Sequence, residues 1–331
     1  MTALDDGLVA KPSLCLNLIV KNEAAIVDRL VASVSPYVSH YVVCDTGSTD
    51  DTAERIRAGF AARGVPGEIH AIPFETFARS RNEALARGRS SPGRFDYFLL
   101  ADADMELIVD DVRFAAALEA PAYLVRQRAG TCSYYNVRLL RRDACAAYVG
   151  ATHEYLGVEG AVERLSGIEF LDHACGASRG DKAARDLRLL RAALADNPRD
   201  ARAMFYLAQT YKDTGRYAEA ALWYEARIQA GGFAEESWYA RYQLALCCAQ
   251  LDDETGFVEE CQRAYAERPW RAEPLHALAS HYRRTGRPDV ALSYAEAARQ
   301  MSYPERDILF VDDSAYPNRT AGAFDNSRSQ T

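Results

Sequence analysis

The chain has 331 residues, with 47 Asp and Glu against 39 Lys and Arg, and a formal net charge of -8 at pH 7. Its basic residues are scattered singly, without the phosphate-neutralising stripe that a nucleic-acid partner requires, which excludes that class. A hydrophobic share of 49% suits a globular chain long enough for two units.

The N-terminal MTALDDGLVAKPSLCLNLIV opens on acidic positions and has no basic region ahead of an apolar stretch. No later window holds about 18 uninterrupted apolar residues, so the expectation is a cytoplasmic chain with neither export signal nor transmembrane segment. The eight cysteines contain no C-x-x-C pair and most sit among apolar neighbours, which favours buried free thiols over disulfides or zinc.

From residue 14 to about 170, apolar runs alternate with amphipathic stretches, the pattern of a largely parallel sheet with crossover helices. The predicted strands are LCLNLIV (14–20), YVVCD (41–45), EIHAI (68–72), FDYFLLAD (95–102), YLVRQ (123–127) and YNVRLLRR (135–142). Helices are predicted over about 24–34, 50–62 and 78–87, and Gly64, Pro66 and Gly67 interrupt the pattern before the third strand. The last two strands admit antiparallel pairing, hence a mixed sheet.

From about Lys182 this pattern gives way to long helical-period stretches. LAQTYKDTGRYAEAA (207–221) recurs as LASHYRRTGRPDVAL (278–292), matching Leu207 to Leu278, Ala208 to Ala279, Tyr211 to Tyr282, Gly215 to Gly286 and Ala220 to Ala291. A weaker middle copy places Leu244 and Ala245 at the Leu-Ala positions. These positions resemble the tetratricopeptide repeat, in which small residues let two antiparallel helices approach and Gly permits the turn. The predicted organisation is an α/β domain over 1–180, helical repeats over 181–303 and a partly disordered tail over 304–331.

FLLADADMEL brings an apolar strand to Asp102-x-Asp104, and carboxylates at the carboxyl edge of an α/β sheet suit a hard divalent cation bridging a diphosphate. Alone, D-x-D also occurs on solvated turns. In YVVCDTGSTDDT the strand delivers Asp45 to the same edge, where it can accept a hydrogen bond from a uracil N–H; Ser48, Thr49 and Asp50 serve equally as helix caps.

These segments, with LNLIVKNE (16–23), resemble the family-2 glycosyltransferases of GT-A fold. FARSRNEAL (77–85), YVGATHEYL (148–156), DHACGASRGDKAARD (172–186) and FYLAQTY (205–211) narrow the likeness to the subgroup that fuses this domain to tetratricopeptide repeats, that of the sublancin S-glycosyltransferase. The resemblance implies a nucleotide-sugar donor, most simply a UDP-sugar, met by Asn22, Glu23, Asp45 at the base, Arg81, Asp102 near the ribose, and Arg179 and Lys182 at the diphosphate. It implies Mn²⁺ or Mg²⁺ on Asp104 and His173, and Glu154 as the base that takes the acceptor proton in an inverting displacement.

Each position has a plainer alternative: Arg81 as a helix-surface ion pair, Glu154 as the partner of a nearby Arg, His153 as a structural hydrogen-bonder, and 177–186 as a linker leading into a capped helix. The acceptor is a peptide, a protein or a glycan, and the repeats offer a concave surface for it or for a second copy of the chain in a homodimer. A scaffold that binds nucleotide or peptide without catalysis is the alternative function. A nucleotidyltransferase is set aside because LIVKNEAA lacks a Gly-rich phosphate loop.

Overall fold

The computed structural model describes residues 12–116, 118–175 and 182–316. They divide into two compact units, residues 12–129, 135–149 and 154–175 in one and residues 130–134, 150–153 and 182–316 in the other.

The first unit is built around strands β1 (Leu14–Val20), β2 (His40–Asp45), β3 (Gly67–Ala71), β4 (Tyr97–Leu100), β5 (Met105–Val109), β6 (Ala122–Ala129), β7 (Cys132–Arg141) and β10 (Val162–Asp172), in the order β3-β2-β1-β4-β7-β6-β10-β5. Pairs β1–β2, β2–β3 and β1–β4 are parallel, β4–β7 and β5–β10 antiparallel, and β6–β10 parallel. The sheet is therefore mixed. A separate hairpin joins β8 (Ala146–Val149) to β9 (Tyr155–Val158).

Both faces of β1 are covered, as parallel strands require. Leu14, Leu16, Leu18 and Val20 are buried with Val27, Leu30, Val31 and Val34 of helix α1 (Val27–Val34), in one core with Ile56 and Phe60 of α2 (Thr52–Ala61). On the opposite face, Cys15 joins Val42, Leu85, Phe98 and Leu100, with Leu85 supplied by α3 (Phe77–Ser90). Asn17, buried between Leu16 and Leu18, gives its side-chain amide to the carbonyls of Val42 at 3.2 Å and Ala84 at 2.9 Å, so a polar residue inside the apolar run fastens β1 to β2 and α3.

Two expectations change. FDYFLLAD holds strand geometry only over Tyr97–Leu100; Asp102 and Asp104 lie in the turn to β5, closed by the Met105 amide on the Asp102 carbonyl. Strands β5, β8, β9 and β10 went unpredicted: the first three are only four or five residues long, and in β10 the first half is exposed and polar and Gly167, at φ +85°, interrupts the alternation.

The second unit stacks helices α4 (Lys182–Asp196), α5 (Ala201–Asp213), α6 (Tyr217–Ala230), α7 (Ala234–Gln250), α8 (Glu254–Glu267), α9 (Glu273–Arg284) and α10 (Pro288–Arg299), each against the next. Ala208, Ala220, Ala245 and Ala264 are fully buried where the helices approach. Gly215 and Gly286 take the same φ of +76° at the turns of the first and third hairpins, and Arg216 and Arg287 close them by donating to the carbonyls of Tyr211 and Tyr282. The middle hairpin closes identically, Asp253 to Cys248, but puts Asp252 in the left-handed region at φ +58°. That substitution is one reason the middle copy is the weaker one in the sequence pattern.

Of the predicted tail, residues 304–316 are described. Residues Val311–Asp312 form β11, antiparallel to Cys132–Ser133, followed by a 3-10 turn over Asp313–Ala315; residues 317–331 lie outside the described residues. Among the described residues no helix is long and apolar enough to cross a membrane.

Candidate functional site

Strands β1, β2 and β4 run side by side and parallel, and the loops at their carboxyl ends carry Asn22, Asp45 and Asp102. The chain leaves β1 toward β2 and β3 and returns on the other side of β1 with β4, so strand order reverses between β1 and β4. A crevice at that point is where open α/β sheets take ligands, because the two loops diverge.

The first two loops brace each other. Asp45 Oδ1 accepts the amides of Gly47 at 2.9 Å and Ser48 at 2.7 Å, with Gly47 at φ +103°. Asn22, itself left-handed at φ +56°, donates its amide to Ser48 Oγ and accepts from the Thr49 amide at 2.7 Å. The Glu23 amide donates to Thr52 Oγ1, and the Ala24 amide to Asp50 Oδ2. Ser48 and Asp50 thus hold the β1 loop; Asp51 occupies the start of α2 without a side-chain cap, and only Asp50 reaches the first helical amide, that of Thr52.

Around Asp102 the charges are concentrated. Arg81, on α3, donates Nη2 to Asp102 Oδ1 and Nε to Glu154 Oε1, the latter at 2.5 Å, while Arg138 on β7 donates Nη2 to Asp102 Oδ2 at 3.0 Å. Side-chain exposures are 14% for Arg81, 10% for Glu154, 9% for Arg138 and 26% for Asp102, so the cluster is mostly buried and Asp102 is its most open member. Burial works to raise the Asp102 carboxyl, but the two guanidinium groups prevail and hold it well below the usual carboxylate range. Burial likewise pushes up the Tyr148 phenol, whose ring lies 5.6 Å from the Arg81 guanidinium.

Neighbouring residues keep this cluster in place. Asn82 clamps β8 to α3 through a reciprocal pair, donating to the Tyr148 carbonyl at 3.0 Å and accepting the Tyr148 amide at 2.7 Å. Gln127, fully buried, accepts from Arg138 Nε and Asn136. None of Asn82, Gln127 and Arg138 was singled out in the sequence; a polar residue within a predicted strand is the only trace Arg138 and Gln127 leave there.

Asp104 and His173 are brought together through the backbone, the His173 amide donating to the Asp104 carbonyl at 3.2 Å. The same carbonyl accepts from Arg29 Nη2, a residue also missed in the sequence, whose Nε is buried without a partner. The His173 ring faces Glu106, Nε2 to Oε2 2.8 Å. Among the described residues no three His, Cys, Asp or Glu side chains converge as a metal cage would require. Arg179 lies outside the described residues, as does the Lys182 side chain.

His153 and Glu154 part company despite being adjacent. Glu154 joins the Arg81 cluster, whereas His153 belongs to the helical unit, at φ +50°, stacked on Tyr206 with centroids 4.1 Å apart and facing the buried Asp186 at 3.5 Å.

The tetratricopeptide repeat family model matches residues 171–235. The C-terminal helical region is tetratricopeptide-like. A TPR repeat-containing protein of Synechococcus elongatus is 34% identical over 31% of this chain and 22% of its own length. The succinoglycan biosynthesis protein ExoU of Rhizobium meliloti is 32% identical over 34% of this chain and 36% of its own. The chain thus spans about a fifth and a third of these curated relatives. Among solved structures, MamA matches at 21% identity and a TM-score of 0.32 over 35% of this chain and 65% of its own, and YrrB, a TPR protein with an unusual peptide-binding site, at 22% and 0.31 over 35% and 59%.

Proposed function

We propose that this chain is a tetratricopeptide-type binding scaffold whose α/β unit takes a nucleotide-sugar at the carboxyl edge of β1, β2 and β4. One observation carries the ligand assignment: Asn22, Asp45 and Asp102 close three adjacent parallel strands where strand order reverses. The repeat match over residues 171–235 supports the docking half, with a peptide or protein as the partner.

A second reading adds catalysis: a GT-A glycosyltransferase domain that moves the sugar, with inversion, to a peptide, protein or glycan nucleophile. Glu154 and the strand-end residue Asp102, both on Arg81, favour it, as does the likeness to a relative named for succinoglycan biosynthesis. Glu154 serves as base only when released from Arg81, and an incoming diphosphate offers that guanidinium another anion. The donor set suits a divalent ion only if the ligand's phosphate oxygens complete it; Asp104 and His173 would be the protein's share, and Mg²⁺ is commonly held by few carboxylates plus phosphates. Such an ion would neutralise a departing diphosphate.

Calorimetric titration with a panel of UDP-sugars, with and without Mn²⁺, followed by assay for sugar release, separates the readings. Binding that Asp45→Ala abolishes, with no turnover, fits the scaffold. Turnover that Glu154→Gln abolishes while binding persists fits the transferase. Absence of binding by every UDP-sugar overturns both assignments of the α/β unit.

A further inference from the structure

Within the helical unit, the segment 304–316 lies on the first helices of the three hairpins, α5, α7 and α9, in the manner of a bound peptide. Its backbone is captured by side chains and by the pairing of β11 with Cys132–Ser133. Glu235 of α7 accepts the amides of Ile308 at 2.7 Å and Leu309 at 2.9 Å, Arg271 donates to the carbonyl of Phe310 at 2.9 Å, and His276 of α9 meets the carbonyl of Ala315 at 3.1 Å.

Val311 and Tyr316 are buried in a hydrophobic cluster, the Tyr316 hydroxyl accepting the Ala272 amide and donating to Glu273, and two further side chains give the contact its specific chemistry. Asp307, 4% exposed, receives Arg268 and Arg271 at 3.0 Å each and the Trp270 indole at 3.2 Å. Three positions on, the Phe310 ring sits among Tyr239 at 4.8 Å, Tyr134 at 5.7 Å and Phe205 at 6.1 Å. A basic socket for an acidic side chain and an aromatic cage at fixed spacing form a recognition code, because each penalises a mismatched side chain.

The groove is also larger than its occupant. Along the same three helices, one to two turns beyond Phe205, Tyr239 and His276, a cavity of about 380 Å³ is lined by Lys212, Gln243, Leu246, Ser280 and Arg284. Phe310 holds a left-handed backbone at φ +46°, a conformation costly for an aromatic residue and relieved when the segment leaves.

We propose that the first-helix groove of the repeat unit docks an extended peptide carrying an acidic residue three positions before an aromatic one, and that residues 304–316 are its resident, displaceable occupant. The proposal names the partner chemistry of the scaffold reading and rests on it for there being a partner. It is independent of whether the α/β unit binds a nucleotide-sugar.

The test uses the full chain and a fluorescein-labelled synthetic peptide, PERDILFVDDSAY, copying residues 304–316. In the wild type the tethered segment competes at high effective concentration, so fluorescence anisotropy is expected to show weak binding. With Asp307→Ala and Phe310→Ala in the chain, affinity is expected to rise by about tenfold or more, and a peptide with the same two substitutions is expected to bind neither chain. Equal binding of the intact peptide by both chains overturns the proposal, as does no binding by a double variant with wild-type circular dichroism. Hydrogen exchange on the wild type covers a variant that misfolds. The amides of Ile308 and Leu309 are expected to exchange through local opening, faster than those of α7; exchange only through global unfolding makes the segment fixed core and overturns the proposal. Loss of nucleotide-sugar binding alone would leave it standing.

Discussion

Asp102 and Glu154 are joined through a single guanidinium, that of Arg81, which gives one nitrogen to each. The arrangement makes Arg81 the member whose removal matters most. Arg81→Ala strands two carboxylates in a largely dehydrated site, one of which keeps Arg138, and breaking a buried pair from one side is expected to cost about 3 kcal/mol. Arg81→Lys, without the fork that serves two acceptors at once, should fall between. Urea denaturation of the three chains measures the order.

Thiol reactivity should divide sharply. Burial pushes the Cys44 thiol to about 12 and those of Cys247 and Cys248 to about 11, burial joined by Asp312 and Asp313 puts Cys132 at about 12, and Cys145 and Cys175 are exposed. Because the thiolate is the nucleophile, two of the eight cysteines are expected to react rapidly with Ellman's reagent in the native chain and all eight in denaturant. Glu159 beside Cys145 raises its thiol by hydrogen bonding and charge, so the Cys145 rate should keep climbing with pH above the ordinary thiol value of about 8.5. Reaction rates from pH 7 to pH 10, with Cys145→Ser as control, check both statements.

The repeated hairpin turns give a matched set. A methyl at Gly215 or Gly286 meets no atom within 4 Å, so Gly→Ala at either site costs backbone strain alone, about 1 kcal/mol. The middle turn predicts the opposite sign. Asp252 already bears that strain while exposed, and Asp252→Gly should raise stability by about 0.5–1 kcal/mol. Thermal melts of the three single variants test the set.

Docking of the C-terminal segment should depend on pH through Glu235. Burial holds this carboxyl above its ordinary range, with Asp307 adding to the rise while the amides of Ile308 and Leu309 and the Arg268 charge oppose it. A carboxyl raised in the docked state takes up a proton on docking, so its contribution is complete below the undocked value of about 4.3 and is lost as pH rises through the docked one. Protection of the Ile308 and Leu309 amides, corrected for intrinsic exchange, is expected to fall several-fold from pH 4 to pH 7 in the wild type. Glu235→Gln should lose this part of the fall. Asp307, Arg268 and Arg271 are common to both chains, so the difference isolates Glu235.

How much of this the sequence reveals depends on whether a residue's role is set nearby. LCLNLIV is strand over its whole predicted span because apolar continuity is a local property, and the Gly215 and Gly286 turns declare themselves because only glycine takes φ +76° cheaply. Asp252 performs the same turn with the wrong residue, one reason the middle copy is the weaker one. Arg138 is the harder case: its neighbours in the chain say strand, and its buried charge makes sense only beside Asp102 and Gln127, which arrive from β4 and β6. Glu154 stood in the sequence as base or as partner of an arginine; the pairing with Arg81 is visible only once α3 and the segment after β8 meet through Asn82.

The parallel placement of β1 between β2 and β4 also sets an order of events in folding. Ser13 at the head of β1 is tied to Asp96 just before β4 across 83 positions of sequence, a long loop to close before any contact there is gained. The helical hairpins close across turns of a few residues. The sheet therefore needs a chain search that the helices never make, and one side of β1 stays unpaired until β4 reaches it.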